Sequence, residues 1–223
     1  MSLSFTTYDG LIDAIAETLN REDLEESIPG WIVLAEEQHK TDLRIRDMLT
    51  RTTTQITART LALPTGFLKF KRLRVSATST GYPYPIEIVS GDELVRHWRA
   101  EDMGTGSPPL LDRPANMPRY VSIDSVMEFD VDPSEYDDDE PYLQMLYWKS
   151  FTALSTTNTS NALLTRAPGA YFYGALVHSA PYLLDDERIQ VWRNEYATIV
   201  ARLNMNDRDP GGQLTSRVAG RTP

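Results

Sequence analysis

The stretch from Pro168 to His178 reads PGAYFYGALVH, and it decides how this chain folds. Proline suits the first turn of a helix, because its missing N–H is not needed there. The side chains that follow are apolar on nearly every side of such a helix: Tyr171, Phe172, Tyr173, Ala175, Leu176 and Val177. A helix of this kind is buried all round. We therefore expect it at the centre of the fold, with Ala180-Pro181-Tyr182 marking its end or a kink.

Two further helices are predicted near the N-terminus. The first begins at Thr6 or Thr7, because either hydroxyl can cap free backbone N–H groups, and it ends at Asn20. The second has Pro29 in its first turn and is expected to run to about Leu49, with apolar residues at helical spacing. Helices this short cannot bury their apolar faces alone, so they need helical partners elsewhere in the chain.

The C-terminal part supplies those partners. A last helix with an apolar face is predicted from Ile189 to Leu203. We expect residues 1–50 and 152–206 to form one helical bundle. The remaining residues, 207–223, contain two prolines, three glycines and few large apolar side chains, and they are expected to form an extended tail.

The middle of the chain, residues 51–151, has the alternation and the turn residues of a β-domain. Its clearest predicted strands are Phe67–Ala77, Tyr120–Ile123, Val126–Val131 and Tyr142–Trp148. The expected fold class is therefore α+β: a helical bundle formed by both chain ends, an inserted small antiparallel β-domain, and an extended C-terminal tail.

Composition excludes several classes of function. The 223 residues include no cysteine, which excludes disulfides, thiolate nucleophiles and cysteine metal sites. Lys and Arg number 22 against 32 Asp and Glu, so the net charge is -10. That charge disfavours a general nucleic-acid-binding protein, since such proteins attract phosphates with a basic surface. We expect neither a signal peptide nor a membrane-spanning segment.

No catalytic or cofactor motif stands out. The three histidines, His39, His97 and His178, fall in different predicted elements, and no Gly-x-Ser-x-Gly turn or Walker pattern is present. We read these histidines as structural and expect no enzyme activity, no cofactor and no metal. The acids between Asp124 and Glu140 favour a solvated turn, although a weak cation site or a carboxylate-based hydrolase stays open as an alternative.

The charges are distributed unevenly along the chain. Residues 44–74 contain eight Lys and Arg residues and a single acid, whereas residues 124–140 contain nine acids and no Lys or Arg. Complementary patches on one chain are suited to a contact between neighbouring copies in a ring. The candidate residues for such an inter-subunit contact are Arg44, Arg46, Arg72, Asp137, Asp138 and Asp139. Solvated surface and direct contact with DNA are the alternatives for the basic part.

Several motifs together resemble the head-to-tail adaptor, or connector, proteins of tailed double-stranded-DNA bacteriophages. The resemblance covers most of residues 7–206. Its motifs include Thr7-Tyr8-Asp9-Gly10-Leu11, Leu19-Asn20-Arg21-Glu22-Asp23-Leu24, Leu63-Pro64-Thr65-Gly66-Phe67-Leu68, Tyr173-Gly174-Ala175-Leu176 and Ala180-Pro181-Tyr182-Leu183. These motifs are structural rather than catalytic, so their specificity lies in the combination.

The resemblance implies a non-enzymatic virion protein at the head–tail junction, assembled in the bacterial host cytoplasm. Such adaptors form a ring, typically of twelve copies, below the portal protein. The ring extends the DNA channel without sequence-specific binding and provides the platform for tail or nozzle proteins. Family tails reach the portal, which makes the tail residues Leu214, Arg217, Val218 and Arg221 the candidate portal contacts. Another tail-completion or assembly component is the alternative, and a hydrolase using carboxylates of the β-domain is less favoured.

Overall fold

A computed structural model describes residues 5–102, 117–133, 140–183 and 187–207. These residues divide into two compact units. The helical unit holds residues up to Asp47 and from Thr152 onward, and the β unit holds Met48–Phe151. The α+β class predicted from the sequence is confirmed, since the chain has both helices and small sheets.

Five α-helices build the described part of the helical unit, and α3 belongs to the β unit. They are α1 (Tyr8–Leu19), α2 (Ile28–Asp42), α4 (Ala162–Arg166), α5 (Pro168–His178) and α6 (Arg188–Asn206). Short 3-10 turns occupy Glu22–Ser27 and Ala180–Tyr182. The second of these follows α5 where the sequence predicts that helix to end.

Side-chain caps fix the helix ends where the sequence predicts them. The Thr7 hydroxyl accepts a hydrogen bond from the Gly10 N–H at 3.2 Å, so α1 begins after Thr7. Asn20 ends α1 in the left-handed conformation, with φ of 51°, which asparagine adopts more easily than most residues. The Asn161 side chain accepts from the Leu164 N–H at 2.9 Å and starts α4.

Helix α5 is buried against helices from both ends of the chain. It packs on α1, α2, α4 and α6. Tyr171 is 1% exposed, and its hydroxyl accepts from the Asn161 amide at 2.7 Å and donates to Glu36 at 3.3 Å. An aromatic side chain buried this deeply needs a partner for its hydroxyl, and the two bonds supply it.

The prediction that α2 continues to about Leu49 is wrong, because the helix ends at Asp42. Leu43 is extended, with φ of -100° and ψ of 136°. The Asn204 side chain on α6 holds this break: it accepts from the Arg44 N–H and donates to the Asp42 carbonyl, each at 2.8 Å. A bond from a residue 160 positions away leaves no local signal in the sequence.

The β unit, which the sequence predicts to be a small antiparallel β-domain, contains two four-stranded sheets. The first sheet has the order β1 (Leu49–Gln55), β8 (Tyr142–Lys149), β3 (Phe67–Ser76) and β4 (Tyr84–Pro85). The second has the order β2 (Thr60–Ala62), β7 (Val126–Phe129), β6 (Tyr120–Ile123) and β5 (Glu87–Ile88). Helix α3 (Gly91–Asp102) follows β5.

The second sheet also departs from the expected antiparallel pairing. Strands β5 and β6 pair in parallel, whereas the other described pairs are antiparallel. Parallel neighbours need a long crossover, and here the connection contains α3. The predicted antiparallel β-domain therefore includes one parallel pair among its described strands.

One hydrophobic cluster joins the two sheets. It takes Leu73 and Met145 from the first sheet and Val121, Met127 and Phe129 from the second. Along β8 buried residues alternate with half-buried ones, so one face of each sheet points to the cluster and the other points away. The β unit is thus a two-layer structure with an outer face on each side.

The close packing of α5 predicts different outcomes for one substitution at two glycines. A Cβ at Gly174 would lie 3.1 Å from the Cβ of Ala35 and 3.4 Å from the Tyr196 ring, whereas nothing lies within 4 Å of a Cβ at Gly30. We expect Gly174→Leu to lower the free energy of unfolding by about 1–3 kcal/mol through overpacking. Gly30→Leu should raise it by about 0.5 kcal/mol, because leucine is the better helix former.

Urea unfolding followed by far-ultraviolet circular dichroism measures both effects. Equal stability of the two variants would contradict the close approach of α5 to α2.

Candidate functional site

A cluster of arginines lies on the outer face of the first sheet. Arg51 on β1 and Arg72 on β3 both stand beside Leu146 on the central strand β8. Arg74 stands beside Gln144, two residues further along the same face. Because neighbouring strands lie about 4.8 Å apart, the Cα atoms of Arg51 and Arg72 are about 10 Å apart. The three arginines line one cleft of about 150 Å³ with Gln144 and Leu146, which we call the arginine cleft.

One further cation, Lys71, lies on this outer face where β3 is irregular. The register with β8 shifts between Phe70 and Arg72. The Nζ of Lys71 lies 5.8 Å from the centre of the Trp148 ring, on the outer face. Such a cation–aromatic contact stabilises by about 0.5–1 kcal/mol at an exposed site. The outer face therefore combines positive charge with an apolar and aromatic floor.

The positive charge of the arginine cleft is not balanced by any partner among the described residues. Among the described residues, no hydrogen bond or ion pair joins the guanidinium groups of Arg51, Arg72 and Arg74 to another group. Like charges at neighbouring positions of a sheet destabilise it. An anion in the cleft would remove that repulsion, so the cleft is suited to binding an acidic group.

The opposite layer of the β unit carries exposed acids. Helix α3 packs on β6, with the His97 ring stacked at 3.8 Å on the Tyr120 ring. Asp92 and Glu93 lie exposed in the first turn of α3, where negative charge favours the positive end of the helix. Asp124 is exposed beside them, since its Oδ2 lies 3.7 Å from the place of a Cβ on Gly91. We call Asp92, Glu93 and Asp124 the acidic flank.

The candidate inter-subunit arginines predicted from the sequence fall in different units. Arg72 lines the arginine cleft. Arg44 and Arg46 lie in the helical unit, where their backbone N–H groups donate to Asn204 and Asp207 at 2.8 Å each. Several predicted residues lie outside the described residues: Asp137, Asp138, Asp139, Leu214, Arg217, Val218 and Arg221.

An ion-pair network closes the end of α6. Arg166 lies 2.8 Å from a carboxylate oxygen of Asp47 and 2.7 Å from one of Asp207. The hydrogen bonds from Arg166, together with the bond from the Arg46 N–H, lower the pKa of Asp207 to about 2. Asp207 was assigned to the tail from the sequence, but its contacts bind it into the helical unit. Its partners lie 41 and 161 residues away, so no local pattern could have indicated this network.

A groove of about 470 Å³ lies between α2, α5 and α6. Val177, Ala197 and Val200 supply apolar walls. The same carboxylate oxygen of Asp42, Oδ2, accepts hydrogen bonds from the Gln38 amide and from the Tyr196 hydroxyl, each at 3.1 Å. Because these polar side chains bond to one another, the groove is suited to packing against an apolar partner rather than to nucleophilic chemistry.

Asp130 and His178, two side chains of types that can take part in catalysis, have structural partners. Asp130 is 3% exposed and accepts from the backbone N–H groups of Arg119 and Tyr120 at 2.9 and 3.1 Å. His178 lies 3.0 Å from the Gln38 amide oxygen. In the part of the chain that the structure describes, no group of three or more acids and histidines is placed to hold a metal ion. No described helix is both long and apolar enough to cross a bilayer.

His39 is buried in the helical unit between two tyrosine rings. Its Nε2 lies 3.3 Å from the Ala170 carbonyl oxygen, and its ring meets Tyr171 edge-on at 4.9 Å. Its Nδ1 has no hydrogen-bond partner among the described residues. Burial lowers the pKa of His39 to about 4, although the Ala170 carbonyl and Asp42 act in the opposite direction.

The family comparison agrees with this picture of surfaces rather than a reaction centre. The family model of the SU10 adaptor protein matches residues 6–221, which is nearly the whole chain. The chain belongs to the SU10 adaptor protein family. A search of curated proteins finds no match to it. The phage-adaptor resemblance read from the sequence motifs is therefore confirmed.

Membership in the SU10 adaptor family gives the chain a structural role in a phage particle. The family consists of structural phage adaptors and not of enzymes. An adaptor of this kind interacts with portal and tail proteins, oligomerises and is located in the virion.

The buried His39 predicts how the stability of this adaptor depends on pH. A histidine whose pKa is about 4 when folded and about 6.5 when unfolded binds its proton more weakly in the native state. We therefore expect stability to be full above pH 6.5 and to fall by up to about 3 kcal/mol as the pH drops to about 4. His178, whose pKa burial also lowers, acts in the same direction.

Urea unfolding at a series of pH values tests this expectation. His39→Gln should remove most of the pH dependence in that window, even if it lowers stability at pH 7. The matched control is His97→Gln, because His97 is stacked on the surface of the β unit. If the stability of His39→Gln falls with decreasing pH as steeply as that of the unchanged chain, the claim that His39 is buried in its neutral form is wrong.

Proposed function

We propose that this chain is a phage head-to-tail adaptor that forms a ring, of twelve copies, below the portal protein. The ring extends the DNA channel and provides the attachment platform for tail or nozzle proteins. The single observation that carries the proposal is the family match over residues 6–221. The described surfaces support it, since they combine unpaired positive charge, exposed acids and an apolar groove without a reaction centre.

DNA passes through this ring without being bound at specific sequences. A protein with a net charge of -10 repels phosphates over most of its surface, which lets DNA move instead of adhering to the wall. The ring assembles in the bacterial host cytoplasm and remains in the virion at the head–tail junction. The charge of the whole chain supports this passive role.

The tail beyond Asp207 is the arm that contacts the portal. Asp207 is tied to Arg166 and Arg46, so the helical unit holds the root of the arm in a fixed place. The residues proposed to make the contact are Leu214, Arg217, Val218 and Arg221. Two apolar and two basic side chains are suited to a groove with an apolar floor and an acidic rim.

Neighbouring copies are held in part by opposite charges. In this proposal Arg44, Arg46 and Arg72 of one copy face Asp137, Asp138 and Asp139 of the next. Exposed charges more than about 8 Å apart are largely screened at physiological ionic strength, so the net negative charge does not prevent ring closure. The unpaired state of Arg72 among the described residues supports a partner outside its own chain.

Two truncations that differ by one residue test the role of the arm. A chain that ends at Asp207 keeps the ion pairs of Asp207 with Arg166, so its melting temperature should equal that of the full chain. Its binding to purified portal complexes, measured by sedimentation velocity, should weaken at least roughly tenfold, which corresponds to about 1.4 kcal/mol. A chain that ends at Asn206 should bind as weakly and also melt at a lower temperature.

The two readouts separate the possible failures. Full affinity in the chain that ends at Asp207 would refute the role of the arm while leaving the adaptor role intact. Failure of the full chain to bind portal complexes at all would contradict the proposed function.

A further inference from the structure

We propose that the arginine cleft is a carboxylate-binding site whose ligand is the acidic flank of a second copy of this chain. This inference rests on the proposed function, because it specifies how neighbouring copies meet in the ring. It shares Arg72 with the pairing proposed above and gives that arginine a different partner, so the two pairings are alternatives at Arg72. The site comprises Arg51, Arg72 and Arg74, and its ligand is Asp92, Glu93 and Asp124 of the neighbour.

The cleft is built to receive planar acidic groups. A guanidinium presents its N–H groups as a fork that can bind both oxygens of one carboxylate. Arg51 and Arg72 flank Leu146 from two strands, and Arg74 adds a third fork beside the Gln144 amide, which donates to Ser76 at 3.1 Å. Leu146 gives this cleft of about 150 Å³ an apolar surface against which the arginine side chains can lie.

Carboxylates fit the cleft better than the phosphates of DNA. The chain as a whole carries a charge of -10, so its long-range field opposes the approach of a polyanion. A neighbouring copy carries the same net charge, but its carboxylates are at a high effective concentration once the portal holds the copies together, and this offsets the repulsion. The acidic flank has three exposed carboxylates close together, which matches three guanidinium groups in number.

The two surfaces are also placed correctly for a ring. The arginine cleft lies on the outer face of the first sheet, and α3 with the acidic flank covers the second sheet on the other side of the shared core. A head-to-tail contact uses two different surfaces of each subunit, and its repetition gives a ring when the rotation from copy to copy closes. A two-fold dimer would instead bring a surface against itself, which like charges on both surfaces oppose.

Cysteine crosslinking tests the contact directly, because the chain has no cysteine of its own. Arg72→Cys and Glu93→Cys are made in separate full chains and treated with a short bismaleimide in the portal-bound assembly. A mixture of the two should give a crosslinked dimer, whereas each alone should give none. A chain carrying both substitutions should give a ladder of higher oligomers. Dimers from Arg72→Cys alone, or none from the mixture, would overturn the proposal.

Charge reversal provides the second test. Arg72→Glu should weaken self-association of the portal-bound copies roughly tenfold, or about 1.4 kcal/mol. Glu93→Lys in the same chain should restore most of that loss. Arg202→Glu is the matched control, because it makes the same charge change at an exposed position of α6. Equal melting temperatures of the variants, measured beforehand, exclude unfolding as the cause.

The outcomes distinguish this contact from the proposed function and from DNA binding. If the full chain docks on the portal but the mixed cysteine variants do not crosslink, the contact is wrong and the adaptor role stands. If Arg72→Glu leaves assembly unchanged but abolishes retention of a DNA duplex by the ring, the cleft binds phosphate and the proposal is overturned. If the mixture crosslinks without any portal docking, the contact stands and the adaptor role fails.

Discussion

The burial of α5 is the constraint on which the helical unit depends. Its residues Ala170, Tyr171, Ala175 and Leu176 are each at most 1% exposed. A helix that is apolar on nearly every side is stable only when other helices cover it, and one helix covers only one side. The cover comes from α1 and α2 near one end of the chain and from α6 near the other. The two ends of the chain are therefore obliged to fold as one unit.

Because both ends of the chain belong to one unit, the β unit is an insertion within it. The chain leaves the helical unit after Asp47 and returns at Thr152, so the β unit between them starts and ends at the same unit. Its two sheets bury their inner faces in one cluster and leave the outer faces to carry charge, basic on one side and acidic on the other. Such a protein works through rigid surfaces, which is the task of a structural adaptor.

Local patterns predicted what depends on neighbouring residues, and long-range contacts decided the rest. Thr7 and Asn20 mark the two ends of α1, as predicted, because a cap acts within a few residues of the sequence. The early end of α2 could not be predicted, since Asn204 holds it from 160 residues away. The basic character of residues 44–74 was visible in the sequence, but only the strand register shows that Arg51, Arg72 and Arg74 share one cleft. The parallel pairing of β5 with β6 likewise depends on the path of α3.

Electron cryomicroscopy of the full chain bound to portal complexes tests the central claim most directly. That claim is that a chain whose two ends fold together serves as a ring-forming connector. The account predicts a closed ring of identical copies on the portal, around the path of the DNA, with α1, α2, α5 and α6 of each copy packed together. A map with isolated copies, or with the N-terminal helices of one copy packed on α5 of another, would contradict it.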